Sequence, residues 1–155
     1  LGNAKQEDWT NQLFISLSQF VRYNPEWPDI EKMKVRAEGV MPESLSNDEV
    51  IAWYDDFPPQ TPYGMGRYMD ALIINGKKTQ AKKFLADWWS NSRITRAQQR
   101  KILQDYDEYL TLDAHKRRFD ALLLRGDYEN GRAMAALLGQ GYPALAEARI
   151  ALSDH

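Results

Sequence analysis

The chain has 155 residues, a formal net charge of -2 and no cysteine. That length suits one domain with a real core, and the near balance of charge offers no basic field for nucleic acid. The missing cysteine excludes a disulfide scaffold and a cysteine-rich zinc site. No apolar run approaches the roughly 18 residues that a membrane span needs, and the opening LGNAKQEDW has no signal-peptide pattern.

Taken in order, the elements are helical. Asp8 is expected to cap the first helix, whose apolar side is Trp9, Leu13, Phe14, Leu17, Phe20 and Val21. It must end before Asn24-Pro25, because a residue preceding proline is pushed out of helical geometry. Trp27, in the corner that follows, is expected to plug a hairpin seam, and Pro28 to start a second helix through Ile30, Met33 and Ala37. Met41-Pro42 breaks the chain. Ser46 with Glu49 forms a capping box that launches a helix carrying Val50, Ile51, Trp53 and Tyr54, stopped at Phe57-Pro58-Pro59.

Pro58 to Pro62 reads as a stiff connector, and Thr61-Pro62 opens the next helix. A further helix ends near Trp88-Trp89-Ser90-Asn91-Ser92. Thr95 with Gln98 is a second capping box, ahead of Ile102, Leu103 and Tyr106. Thr111 then caps a helix with Phe119, Leu122 and Leu123, and Gly126 supplies a left-handed stop. Asp127 opens another, with Ala133, Met134, Leu137 and Leu138, closed by Gly139 and Gly141. Tyr142-Pro143 starts the last, through Leu145, Ala146, Ala148, Arg149, Ile150 and Leu152. About nine or ten helices and no strand are expected from these periodicities; the fold class is all-α.

Sliding the chain by fifty residues aligns Arg67 to Trp88 with Arg117 to Leu138. Arg67/Arg117, Asp70/Asp120, Ala71/Ala121, Leu72/Leu122, Gly76/Gly126 and Ala86/Ala136 are identical, and Ile73/Leu123, Ile74/Leu124, Lys82/Arg132 and Phe84/Met134 are conservative. A glycine at one place between two amphipathic helices is what a helical repeat requires, since each hairpin has an apolar face that only neighbours cover.

The stretch LTLDAHKRRFDALLLRGDYENGRAM, followed by ALAEARIAL, resembles the N-terminal superhelical domain of soluble lytic murein transglycosylases. That family carries LTxxDHxxRxDxLLxxGxxxxARRM and then AEARxAL; this chain departs around Ala114 and at Gly131. NPEWPDIEKMKVRAE (Asn24 to Glu38) and the run from Val50 to Trp89 are similar to the same domain, so the resemblance covers most of the chain. It implies stacked helical hairpins in a right-handed, TPR-like superhelix or solenoid arc. Residues 1–155 would be a single such domain within a longer, exported, periplasmic chain. It implies a non-catalytic segment that holds peptidoglycan glycan strands for a separate lysozyme-like domain, absent from this chain. That domain cleaves between N-acetylmuramic acid and N-acetylglucosamine and leaves an anhydro end. No cofactor, metal or nucleic acid is implied.

Five Trp and eight Tyr stand out, because a sugar's C–H face stacks on such rings. Rings at helical spacing also fill cores. Lys77, Lys78, Lys82 and Lys83, continued by Arg93, Arg96, Arg100 and Lys101, make a cationic side. Such a side is either a solvated face or an attraction for the anionic, peptide-bearing glycan. From these two groups Trp53, Tyr54, Lys82, Lys83, Trp89 and Arg93 are the candidate substrate-binding residues.

Chemistry is harder to find. Glu43-Ser44 has the look of the catalytic glutamate pair of lytic transglycosylases, but Pro42 and the capping segment place it in an exposed loop. Asp55 and Asp56, as helix neighbours, point apart and cannot flank one glycosidic bond. His115 and His155 make no metal site, and His115 reads as a surface or satisfied helix-face residue near Asp113. A reading from another class is a helical-repeat adaptor that takes a protein or peptide in its concave face.

Overall fold

The computed structural model describes residues 2–153. They form nine α-helices and one short 3₁₀ turn, with no strand among them. The helices are α1 (Gly2–Tyr23), α2 (Ile30–Gly39), α3 (Asn47–Asp56), α4 (Pro62–Ile74), α5 (Lys78–Asn91), α6 (Arg96–Tyr106), α7 (Leu112–Leu124), α8 (Tyr128–Leu138) and α9 (Tyr142–Ser153); the 3₁₀ turn is Asp107–Tyr109. No described helix is long and apolar enough to cross a membrane. The chain divides into two compact units, Leu1–Lys77 and Lys78–His155.

In the first unit α1 packs on α2, α3 on α4, and α2 on α4. Its core holds Val21, Ala37, Val50, Tyr54, Met65, Met69 and Leu72. In the second, α7 is central: it packs on α5, α8 and α9, while α6 meets α8 and the 3₁₀ turn. Ala81, Leu85, Trp89, Phe119, Leu122, Met134, Ala135 and Ala146 are sealed there.

The repeat reaches further than its sequence identities. Helices α4 and α7 each have 13 residues and start at a threonine cap: Thr61 Oγ1 accepts from Gly64 N at 3.0 Å, and Thr111 Oγ1 from Ala114 N at 3.2 Å. Each ends alike. Lys77 N donates to Leu72 O at 2.8 Å and Gly76 N to Ile73 O at 3.0 Å, matched by Asp127 N to Leu122 O at 2.9 Å and Gly126 N to Leu123 O at 3.2 Å. Both glycines are left-handed, with φ of 72° and 78°, the backbone that a Schellman-type stop demands. The buried positions Tyr68, Met69 and Leu72 also correspond to Arg118, Phe119 and Leu122. One helix upstream, Ser46 and Thr95 both close full capping boxes, with Glu49 and Gln98. The series α3, α4, α5 thus matches α6, α7, α8 in order, in the capping boxes of α3 and α6, and in the caps and stops of α4 and α7.

Three expectations are corrected. Asp8 does not cap α1, which already runs from Gly2; nothing in LGNAKQE breaks a helix, so the cap residue lies inside it. Trp27 plugs no seam: it is 51% exposed and meets only the edge of Phe20, at 5.4 Å between ring centres. Pro28 also falls two residues ahead of α2, whose capping position is Asp29.

Candidate functional site

The three candidate rings are core residues. Trp53 sits among Phe14, Tyr54 and Phe57, at 5.8, 5.0 and 5.3 Å, and its indole N–H donates to Ser18 Oγ at 3.0 Å. Tyr54 is 1% exposed, its hydroxyl has no partner, and burial first, then the Glu38 carboxylate, pushes its ionisation far upward. Trp89 is fully buried, with the Arg118 guanidinium 4.2 Å from its ring centre. Their assignment as glycan contacts is therefore corrected: the rings are buried against other side chains and offer no open face.

Lys82 and Lys83 are exposed on α5, and Arg93 is exposed in the loop between α5 and α6. Among the described residues none of the three forms an ion pair. Of the other acids singled out, Asp56 pairs with Arg22 at 2.8 Å and Asp55 accepts from the Tyr68 hydroxyl at 2.5 Å. Glu43 and Ser44 lie exposed in a turn. His115 is buried, facing Asp107 at 3.3 Å rather than Asp113; burial holds its imidazole below the ordinary value, with Asp107 opposing. His155 lies outside the described residues. Among those residues no cluster of three or more His, Asp or Glu side chains is arranged to hold a metal ion.

Sequence reasoning missed two buried charges. Arg118, in α7, is fully buried without a carboxylate on it. Its Nε donates to Gln99 Oε1 at 2.8 Å, and its Nη1 donates to Trp89 O and to Ser92 Oγ at 3.2 Å. Burial pushes it down to about 10, still cationic at neutral pH. Glu38, 1% exposed, is the counterpart in the first unit. Its carboxylate accepts from Gln60 N at 2.6 Å, Thr61 N at 3.1 Å and Thr61 Oγ1 at 2.5 Å, so α2 clasps the connector into α4. Both are structural clamps.

Open surface offers more. In the first unit a groove of about 450 Å³ lies between the first half of α1, the turn after α2 and the start of α4. Tyr63, half exposed, stands at its edge, and Asn3, Gln6, Glu7, Asn11 and Glu43 bring amide and carboxylate groups to it. An aromatic face beside such groups is the usual make-up of a saccharide contact, and nothing in the helical periodicity pointed to it. In the second unit a pocket of about 460 Å³ is lined by Arg93, Thr95, Gln98, Arg125, Asp127 and Asn130, with Ile94 and Gly126.

Two ion pairs tie the second unit together across its last three helices. Arg149 of α9 reaches Asp120 of α7 at 2.5 Å, and Arg132 of α8 meets Glu147 of α9 at 2.7 Å. Comparison with protein-family models, with curated proteins and with solved structures returned no match.

Proposed function

We propose that this chain is a non-catalytic helical-repeat segment of a periplasmic lytic murein transglycosylase. Its helical hairpins stack into a right-handed superhelix that holds peptidoglycan glycan strands for a separate cleaving domain. The observation that carries this reading is the interlocking of the two stretches on which the resemblance rests. Thr111 caps α7, Arg118 and Met134 are sealed in the core, Gly126 makes the stop, and Asp120–Arg149 and Arg132–Glu147 bind the first stretch to AEAR. A shared pattern of that kind follows from a shared unit, since each element needs the others to be buried or paired. The groove beside Tyr63 gives the first unit ring contacts for a glycan, and the exposed lysines of α5 give the second charge contacts for an anionic one.

Sacculus co-sedimentation tests the reading. Lys78, Lys82, Lys83 and Arg100 are exposed and form no ion pair, so changing all four to glutamate leaves each core intact. Reversing four charges against a polyanion is expected to lower the pelleted fraction at least several-fold at low salt, with the parent's binding weakening as salt rises. Unchanged pelleting of the variant would remove the electrostatic part of the proposal.

A further inference from the structure

The pocket in the second unit has an unusual electrostatic make-up. It lies where the loop before α6 meets the turn before α8, and the N-terminal ends of both 11-residue helices border it at Thr95 and Asp127. Helix N-terminal ends carry partial positive charge, and here each is capped, Gln98 N donating to Thr95 Oγ1 and Asn130 N to Asp127 Oδ1. Arg93 is exposed and has no hydrogen-bond or ion-pair partner among the described residues. Arg125 is fixed, donating to Asn91 O at 3.3 Å and Ser92 O at 2.8 Å, which uses two of the five N–H donors of a guanidinium. Burial holds Arg125 below its ordinary value; Asp127 opposes this, and the nearby Arg93 charge adds to it.

The opposite wall is an acceptor wall. Asn130 is 6% exposed, and its amide nitrogen donates to Ile94 O at 3.0 Å and to Asp127 Oδ2 at 3.0 Å, which fixes the orientation of the group. Its Oδ1 is buried with no donor on it. Two guanidiniums and one carboxylate leave a single net positive charge on the lining. A dianionic phosphate would face Asp127; a monoanionic carboxylate matches the balance and the forked geometry of arginine.

The geometry points to a site for the C-terminal carboxylate of a short peptide, held between Arg93 and Arg125, with the amide N–H beside it turned toward the part-exposed Asp127 carboxylate. This site is argued from its own lining and does not rest on the wall-binding reading. Arg93 is left intact in the sacculus variant, so either proposal can fail without the other. The shared chemistry has two sources, a stem peptide of the cell wall ending in a D-amino acid or the L-terminus of a protein.

The test is an NMR titration of the 155-residue chain with N-acetyl-alanyl-alanine in its D,D and L,L forms, and with the C-terminal amide of each. The acids are expected to shift the backbone amides of 93–98 and 125–130, and the amides to bind about 10-fold more weakly, having lost the charge-assisted pair. Arg93→Gln, at an exposed and unpartnered position, should weaken the acids by about the same factor with an otherwise unchanged spectrum. Preference for D,D supports the site with a wall peptide as its source, preference for L,L supports it with a protein terminus, and equal binding supports a site that reads the carboxylate and its neighbouring amide alone. Equal binding of acid and amide, no shifts in those segments, or full affinity in Arg93→Gln would overturn it.

Discussion

Replacing Arg118 by methionine is expected to destabilise the second unit by about 3 kcal/mol. The side chain is fully buried, and four groups depend on it: Gln99 Oε1, Trp89 O, Ser92 Oγ and the Trp89 ring. Gln99 is itself 2% exposed, so deleting the guanidinium strands buried acceptors, each costing about 1–3 kcal/mol. A desolvated cation over tryptophan contributes about 2 kcal/mol more. Methionine fills the volume and avoids a buried charge, which offsets part of this loss. Lysine keeps the charge but not the planar fork, so Arg118→Lys should recover only a fraction of the stability. Urea denaturation followed by tryptophan fluorescence measures both variants; a loss below about 1 kcal/mol for methionine would mean that the clamp is incidental.

The second large effect is at Gly64, one turn into α4. In an exposed helix, alanine would be favoured over glycine by about 1 kcal/mol. Here a Cβ would collide with Glu38 Oε2 and come within 2.7 Å of the Tyr54 hydroxyl. The carboxylate cannot yield, because Gln60 N, Thr61 N and Thr61 Oγ1 all donate to it. Gly64→Ala is therefore expected to destabilise by about 2 kcal/mol, overpacking and strained hydrogen bonds outweighing propensity.

Glu38 also gives this clasp a pH signature. Burial raises its carboxyl above the ordinary 4.5, against the pull of its three donors. The folded chain then keeps a proton that the unfolded chain has lost, so this group's contribution is largest below 4.5 and falls as pH rises through the raised value. In Glu38→Gln that slope should be missing, so the stability difference between parent and variant should change with pH across this range; parallel pH profiles would show that Glu38 is not its source.

What was legible in the sequence was local. Ser46, Thr61, Thr95 and Thr111 cap helices because a hydroxyl needs only the amide three residues on, and Gly76 and Gly126 stop them because a left-handed turn needs only a missing side chain. The fifty-residue repeat was visible for the same reason. What failed was non-local. Arg118 reads as one more charge in HKRRFD, and its burial depends on Gln99, Trp89 and Ser92. Glu38 reads as the polar end of α2 until Gln60 and Thr61 close over it. Trp53, Tyr54 and Trp89 could equally face a groove or a core, since periodicity gives a side of the helix and not its occupant. Arg93 and Arg125 lie in turns 32 residues apart in number (93 and 125), and only the folded unit brings them to one pocket.

The most direct measurement is to incubate the purified 155-residue chain with intact sacculi, pellet them, and analyse both fractions. The proposed function predicts protein in the pellet and no soluble anhydro-muropeptides in the supernatant, as for a segment that would hold the wall without cutting it. Protein left wholly in the supernatant, or soluble sugar fragments released by the chain alone, would contradict it.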